Sequence, residues 1–182
     1  MSKKHVAILV GSASDTSVNQ MAVDYLQEIA KDLVQLTQVK IDDLPLYDRD
    51  LDSQEIAEYT RVRDAIKAVD AVIWVTPEHN GGVSAMLKNA IDVVSRPAGQ
   101  SQWVGKPLGL ITLNSSGSNR TTDALRATAS GQSINMPVAP FSVAIGGIFA
   151  QGFVKDGKLA SESAKKTLQN FMDAYLKFIE RF

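Results

Sequence analysis

Hydroxyl side chains are concentrated in one short stretch near the start of the chain, between Gly11 and Asn19. Four of them could donate hydrogen bonds to a ligand: Ser12, Ser14, Thr16 and Ser17. An apolar run ends at Gly11 and a helical pattern follows the stretch, so the first helical turn would add free backbone amides and the positive end of a dipole. This combination suits a phosphate group. The same residue types are ordinary helix N-caps, although one cap would suffice.

Two widespread phosphate-binding motifs are absent from this stretch. Without Gly-x-Gly-x-x-Gly the strand–loop–helix pattern does not match a dinucleotide fingerprint, and without Gly-Lys-Ser/Thr it does not match a P-loop. The phosphate would therefore belong to another kind of ligand.

Two more polar loops follow strongly apolar runs. Pro77–Gly82 comes after Ala71–Thr76, and Asn114–Asn119 comes after Leu108–Leu113. In a parallel sheet the ligand lies outside the carboxyl ends of the strands, at the switch in strand order. We therefore expect the Gly11–Asn19 loop and these two loops to meet.

Strand-like and helix-like segments alternate about five times, which indicates a parallel sheet covered by helices on both faces. The predicted strands are Val6–Val10, Leu36–Ile41, Ala71–Thr76, Leu108–Leu113 and Val138–Ile145. The predicted helices are Met21–Leu33, Ser53–Val69, Ser84–Val94, Arg120–Ser130 and Ser161–Ile179. No linker or repeat interrupts the pattern, so we expect one α/β domain over residues 1–182.

Composition excludes several function classes. The chain has 182 residues, 45% of them hydrophobic, and a net charge of −1, which does not indicate a nucleic-acid partner. It has no cysteine, so disulfides and thiol nucleophiles are excluded. The first residues do not resemble a secretion signal, and no apolar stretch reaches membrane-spanning length. We expect a cytoplasmic protein with no membrane partner.

Flavin mononucleotide (FMN) has requirements that the three loops meet. Its phosphate would lie on the first loop. The glycines of Pro77–Gly82 would let the backbone approach the isoalloxazine ring closely, and Ser115, Ser116 and Gly117 could cover the pyrimidine end. Because such a cofactor carries the chemistry, no catalytic side chain is expected. No metal is expected either, since His79 has no companion ligands.

The motifs resemble those of the NADPH-dependent FMN reductase family. Gly11-Ser12-x-x-x-x-Ser17-x-Asn19 resembles the first motif, and Pro77–Gly81, continuing through Leu87–Asp92 and Ser95–Pro97, resembles the second. The likeness covers nearly the whole chain. Carried over by position, the resemblance implies an FMN site formed by the following residues: Ser12, Ser14, Ser17, Val18, Asn19, Pro77, Glu78, His79, Asn80 and Gly81, with Ser115, Ser116 and Gly117 nearby.

The resemblance also implies a fold, a reaction and an assembly. The fold would be a flavodoxin-like three-layer sandwich with a five-stranded parallel sheet. The reaction would be ping-pong hydride transfer from NADPH or NADH through FMN to a small-molecule acceptor such as a quinone or an azo compound. The protein would be a homodimer or a homotetramer.

Two residues depart from the family pattern. Ser14 stands where the family usually has arginine, which leaves Asp15 as the nearest charge, an unfavourable neighbour for a phosphate. His79 stands where the family commonly has tyrosine.

Three other functions stay open from the sequence. A flavodoxin-type electron carrier has the same fold, but carriers of that class tend to be strongly acidic, unlike this chain. A flavin-free protein could bind another phosphorylated ligand on the same loops. A structural role in a complex could use Trp103 and the Arg96–Gly99 loop as an interface.

We expect the activity to depend on pH more strongly than in relatives with tyrosine at position 79, because imidazole changes charge close to neutral pH and phenol does not. The measurement compares pH–rate profiles of the wild type and His79→Tyr. Identical profiles would show that the expectation is wrong.

Overall fold

The computed structural model describes residues 3–182 as three layers, with helices on both faces of a central sheet. The strands are β1 (His5–Val10), β2 (Gln35–Gln38), β3 (Ala71–Thr76), β4 (Glu78–His79), β5 (Gly82–Val83), β6 (Leu108–Leu113), β7 (Val143–Ile145), β8 (Val154–Lys155) and β9 (Lys158–Leu159). The helices are α1 (Val18–Ala30), α2 (Ala57–Lys67), α3 (Ala85–Val94), α4 (Arg120–Ala129) and α5 (Glu162–Ile179).

The central sheet has the order β2-β1-β3-β6-β7, and every neighbouring pair is parallel. All residues of β3 and β6 are buried, as expected for strands covered on both faces. The strand order reverses between β1 and β3, which is the switch point where ligands bind in such sheets.

Each face of the sheet has its own apolar core. One core joins β1 and β3 to α1 and α5 and contains Tyr175, and the other joins them to α2, α3 and α4 and contains Trp74. Alternate residues of β1 supply the two sides: Val6, Ile8 and Val10 face the first core, and Ala7 and Leu9 face the second.

Serine side chains fix the starts of three helices. Ser17, Ser84 and Ser161 each accept a hydrogen bond from the backbone amide three residues later, at 3.2, 3.4 and 3.3 Å. Each satisfies a donor that the first helical turn would otherwise leave free. No helix within residues 3–182 is both long enough and apolar enough to cross a bilayer.

Several boundaries differ from the sequence-based prediction, and α1 spans Val18–Ala30 rather than Met21–Leu33. β2 ends at Gln38 rather than Ile41, because Val39 and Ile41 turn into the core beneath α2 and α3. α2 begins at Ala57 rather than Ser53, after a single 3₁₀ turn at Arg49–Leu51. The last strand shortens to Val143–Ile145, and only an isolated bridge from Val138 to Leu108 precedes it.

The suggested interface role of Trp103 is wrong. Its side chain is fully buried and packs edge-on against Trp74, with 5.3 Å between ring centroids. Its indole Nε1 donates a hydrogen bond to the carbonyl of Ile91 at 3.0 Å. Trp103 therefore fastens the segment before β6 to α3 from inside the core.

We expect Tyr175→Phe to lower the free energy of unfolding by about 1–2 kcal/mol, because it removes a buried hydrogen bond. The Tyr175 hydroxyl donates to the carbonyl of Val72 at 2.7 Å, with the carbonyl of Pro107 at 3.2 Å. Thermal unfolding should show a midpoint lower by about 2–8 °C for a chain of this size. Tyr25→Phe is the matched control, since the Tyr25 hydroxyl has no hydrogen bond within residues 3–182.

Ionisation of Tyr175 lowers the stability of the fold at alkaline pH. Burial raises the pKa of the Tyr175 phenol, so the neutral form is favoured in the folded state and its contribution is lost as the pH rises above about 10. Tyr175→Phe should lose less stability than the wild type between neutral and strongly alkaline pH. A midpoint equal to that of Tyr25→Phe at every pH would contradict both expectations.

Candidate functional site

The three polar loops leave the carboxyl ends of neighbouring strands β1, β3 and β6, as predicted. The first loop is fastened at Gly11, whose amide donates to the carbonyl of Val75 at 2.7 Å. A Cβ on Gly11 would lie 2.5 Å from Ser84 Oγ and 2.7 Å from Thr76 Oγ1. Only glycine fits here, because the end of β1 lies directly against the start of α3.

The first loop offers free donors at the start of α1. Ser17 is buried and its Oγ caps the helix, so this hydroxyl serves as an ordinary helix N-cap. The backbone amides of Val18 and Asn19 donate to no acceptor within residues 3–182. Ser12 is half-buried and Ser14 is exposed, and both border a cavity of about 400 Å³. These groups fit a phosphate, which needs several donors that are not already bonded.

The Asn19 side chain makes a contact inside the protein. Its Nδ2 donates to the carbonyl of Leu113 at 3.5 Å, and the Leu113 amide donates to its Oδ1 at 3.4 Å. The residue is buried, so the start of α1 is tied to the end of β6. Asn19 therefore has only its backbone amide to offer to a phosphate.

The second loop is a β-hairpin. The predicted polar loop at Pro77–Gly82 forms most of this hairpin, in which β4 and β5 pair antiparallel, with Glu78 opposite Val83 and His79 opposite Gly82. The turn residues Asn80 and Gly81 have φ of 52° and 77°. Two left-handed residues are what a type I′ turn requires, and Asn-Gly is its strongest sequence signal. Pro77 and Glu78 are half-buried, and His79 and Asn80 are exposed.

Helix α4 holds this hairpin in place. The buried Thr121 hydroxyl lies 3.2 Å from Glu78 Oε2 and 3.4 Å from the carbonyl of Gly82, and it can donate to either. The Arg120 side chain lies against Gly81. Neither Arg120 nor Thr121 was among the predicted site residues. The sequence feature that could have indicated them is their position directly after the third loop, at the start of the next helix.

Asn114 organises the third loop. Its Oδ1 accepts from the amides of Gly117 at 2.6 Å and Ser116 at 3.1 Å, and its Nδ2 donates to the carbonyl of Ser118 at 3.0 Å. This Asx-type turn leaves Ser115 and Ser116 exposed. An asparagine directly after a strand and before Ser-Ser-Gly is a turn signal that can be read from the sequence.

A pair of glycines braces the third loop against the loop after β7. Gly117 has φ of 74°, and a Cβ on Gly146 would lie 2.6 Å from the Gly117 amide nitrogen. The two backbones touch because neither residue has a side chain. The Gly147 amide also donates to the carbonyl of Ser115 at 3.0 Å.

The segment after β2 is fastened to α3 beside the hairpin. Asn89 Oδ1 accepts from the Tyr47 amide at 2.8 Å, and its Nδ2 donates to the carbonyl of Pro45 at 2.9 Å. The Arg96 guanidinium lies 5.9 Å from the centroid of the Tyr47 ring. Burial raises the pKa of the Tyr47 phenol, and its hydroxyl donates to Asp52.

Known proteins resemble this chain in sequence over most of its length. Residues 5–150 match the sequence model of the NADPH-dependent FMN reductase family. The chain is similar to a quinone reductase of Pseudomonas putida, with 37% identity over 96% of this chain and 94% of that protein. It is also similar to a 2-hydroxy-1,4-benzoquinone reductase of a Burkholderia species, with 33% identity over 96% and 95% of the two chains.

A solved structure has the same fold. The flavoenzyme NAD(P)H:(acceptor) oxidoreductase FerB of Paracoccus denitrificans superposes with a TM-score of 0.84 at 32% identity, and the match covers 98% of both chains. The predicted flavodoxin-like α/β fold is thereby confirmed. The chain belongs to the NADPH-dependent FMN reductase family, and it is an FMN-dependent NAD(P)H oxidoreductase.

Proposed function

We propose that this protein reduces quinones, and related flat acceptors such as azo compounds, with electrons that NADPH or NADH delivers to FMN. The proteins named quinone reductase and 2-hydroxy-1,4-benzoquinone reductase support the acceptor class, since each matches almost the full chain. An NADPH azoreductase of a Bacillus species matches 78% of it at 26% identity.

The observation that carries the proposal is the meeting of three loops at the switch point of the sheet. The unbonded amides of Val18 and Asn19 lie on one loop, and the β4–β5 hairpin and the Asn114 turn form the other two. In the proposal the first loop holds the phosphate of FMN, the hairpin backbone lies along its ring, and the third loop covers the pyrimidine end.

The residues of this chain bind and orient the reactants rather than exchange protons with them. When bound, FMN supplies the redox chemistry, accepting a hydride from the nicotinamide and passing the electrons to the acceptor. The hairpin offers backbone groups to a flat ring at Gly82, which carries no side chain, whereas the space beside Gly81 is taken by Arg120. One open face would serve donor and acceptor in turn, which gives a ping-pong sequence.

A homodimer or homotetramer is part of the proposal. Leu46 is 80% exposed and Phe149 is 86% exposed, and both lie on segments that follow the carboxyl ends of sheet strands. In the proposed assembly an interface between copies of the chain covers these two side chains. A cytoplasmic location is also proposed, since reduced nicotinamide nucleotides are made inside the cell.

The direct test is the visible absorption spectrum of the purified protein without oxygen. We expect a bound-flavin spectrum that bleaches on addition of NADPH or NADH and returns on addition of 1,4-benzoquinone. A flavin that does not bleach would favour an electron carrier. A protein that neither contains FMN nor takes it up would overturn the proposal.

We expect Ser14→Arg to tighten FMN binding about tenfold, because it adds a charge-assisted hydrogen bond worth about 1.4 kcal/mol to the phosphate. Ser14 is exposed, so the longer side chain has room. The measurement is the quenching of FMN fluorescence by the apoprotein. Ser14→Gln is the matched control, with a long side chain and no charge. Equal affinity in the two variants would show that the charge has no effect.

A further inference from the structure

Arg120 lies across the turn of the β4–β5 hairpin. A Cβ on Gly81 would be 2.9 Å from Nη1 of Arg120 and 3.3 Å from its Cδ. The guanidinium therefore packs directly on the hairpin backbone, in space that any other residue at position 81 would fill. Thr121, the next residue of α4, anchors the same hairpin through Glu78, so the start of α4 and the hairpin are held together, and the exposed Arg120 side chain lies between them and solvent.

Arg120 makes no ion pair within residues 3–182, and the nearest carboxylate of the hairpin, that of Glu78, accepts from the Thr121 hydroxyl instead. The Arg120 guanidinium also donates no hydrogen bond within residues 3–182. Two lysines near this end of the sheet are paired: Lys88 with Asp92 at 2.7 Å, and Lys40 with Asp43 at 3.4 Å. Five donors of a permanent cation remain available to a ligand.

We propose that Arg120 stabilises the negative charge that the flavin gains when it accepts a hydride. A hydride carries two electrons and one proton, so a neutral flavin ring becomes an anion while the nicotinamide leaves as a cation, and no other proton is needed. This inference rests on the proposed function, which places the flavin ring along the hairpin. A permanent cation beside the ring then binds the reduced form more tightly than the oxidised form.

The preference for reduced flavin is measurable as a reduction potential. We expect Arg120→Gln to decrease the ratio of the affinities for reduced and oxidised FMN about tenfold, which lowers the midpoint potential of this two-electron couple by about 30 mV. Arg120→Lys keeps the charge and should retain most of the wild-type potential. The potential is measured by titration against a redox dye, together with the affinity for oxidised FMN.

Arg181→Gln is the charge-matched control. Arg181 is exposed and follows α5, whose end lies beside Asp70 and Lys4 at the amino ends of the strands, opposite the site. Its removal changes the net charge equally and should leave the potential unchanged. A fall of similar size in both variants would show a general charge effect and would overturn the inference.

Two further outcomes would also overturn it. If Arg120→Gln keeps the wild-type potential, the cation does not act on the flavin. If Arg120→Gln keeps the wild-type potential and raises KM for NADPH but not for NADH, Arg120 recognises the extra phosphate of NADPH instead. In both cases the wild-type protein still binds and reduces FMN, so the proposed function stands. A wild-type protein without FMN would overturn both.

Discussion

The end of β1 lies so close to the start of α3 that Gly11 has no room for a side chain, and the rest of the site depends on this contact. Thr76 and Ser84 occupy the space that a Cβ would need, and the two hydroxyls lie 3.1 Å apart. The loop after β1 and the hairpin after β3 therefore begin from one packed point. The switch in strand order then opens the space above them, because α1 and α3 cover opposite faces of the sheet.

Electrostatics at this end of the sheet is set locally rather than by the net charge of −1. Unbonded amides at the start of α1 provide partial positive charge at one end of the site, and Arg120 provides a full positive charge near the hairpin. Asp15 is exposed beside the first of these regions and weakens it. The first loop contains no cationic side chain, and the cation that lies against the hairpin is on α4.

The layers of the fold could be predicted from hydrophobic pattern alone, because β3 and β6 are continuous apolar runs and the helices have regular apolar faces. The positions of the three loops followed from topology. Boundaries were less predictable where an apolar residue leaves the sheet for the core, as Val39 and Ile41 do. The prediction for Trp103 was also wrong, since its position in a loop between two glycines does not indicate that its side chain packs in the core against β3 and α3.

Within the site, residue types could be predicted better than their partners. The serines of the first loop lie on that loop, but the hydroxyl of Ser17 caps α1, and the side-chain amide of Asn19 is bonded to β6. Long-range contacts of this kind, such as Thr121 with Glu78, depend on how the chain is assembled, and spacing along the sequence does not encode them. The Asn80-Gly81 turn and the Asn114 turn are local, and both had readable signals.

The hydrogen bonds between Asn19 and Leu113 give the two ends of the site a common mechanical link. A group that orders the start of α1 also restrains the end of β6, and through it the Asn114 turn. The first loop and the third loop thus share one buried side chain at the base of the site, and a displacement of either loop would have to stretch the two hydrogen bonds of Asn19.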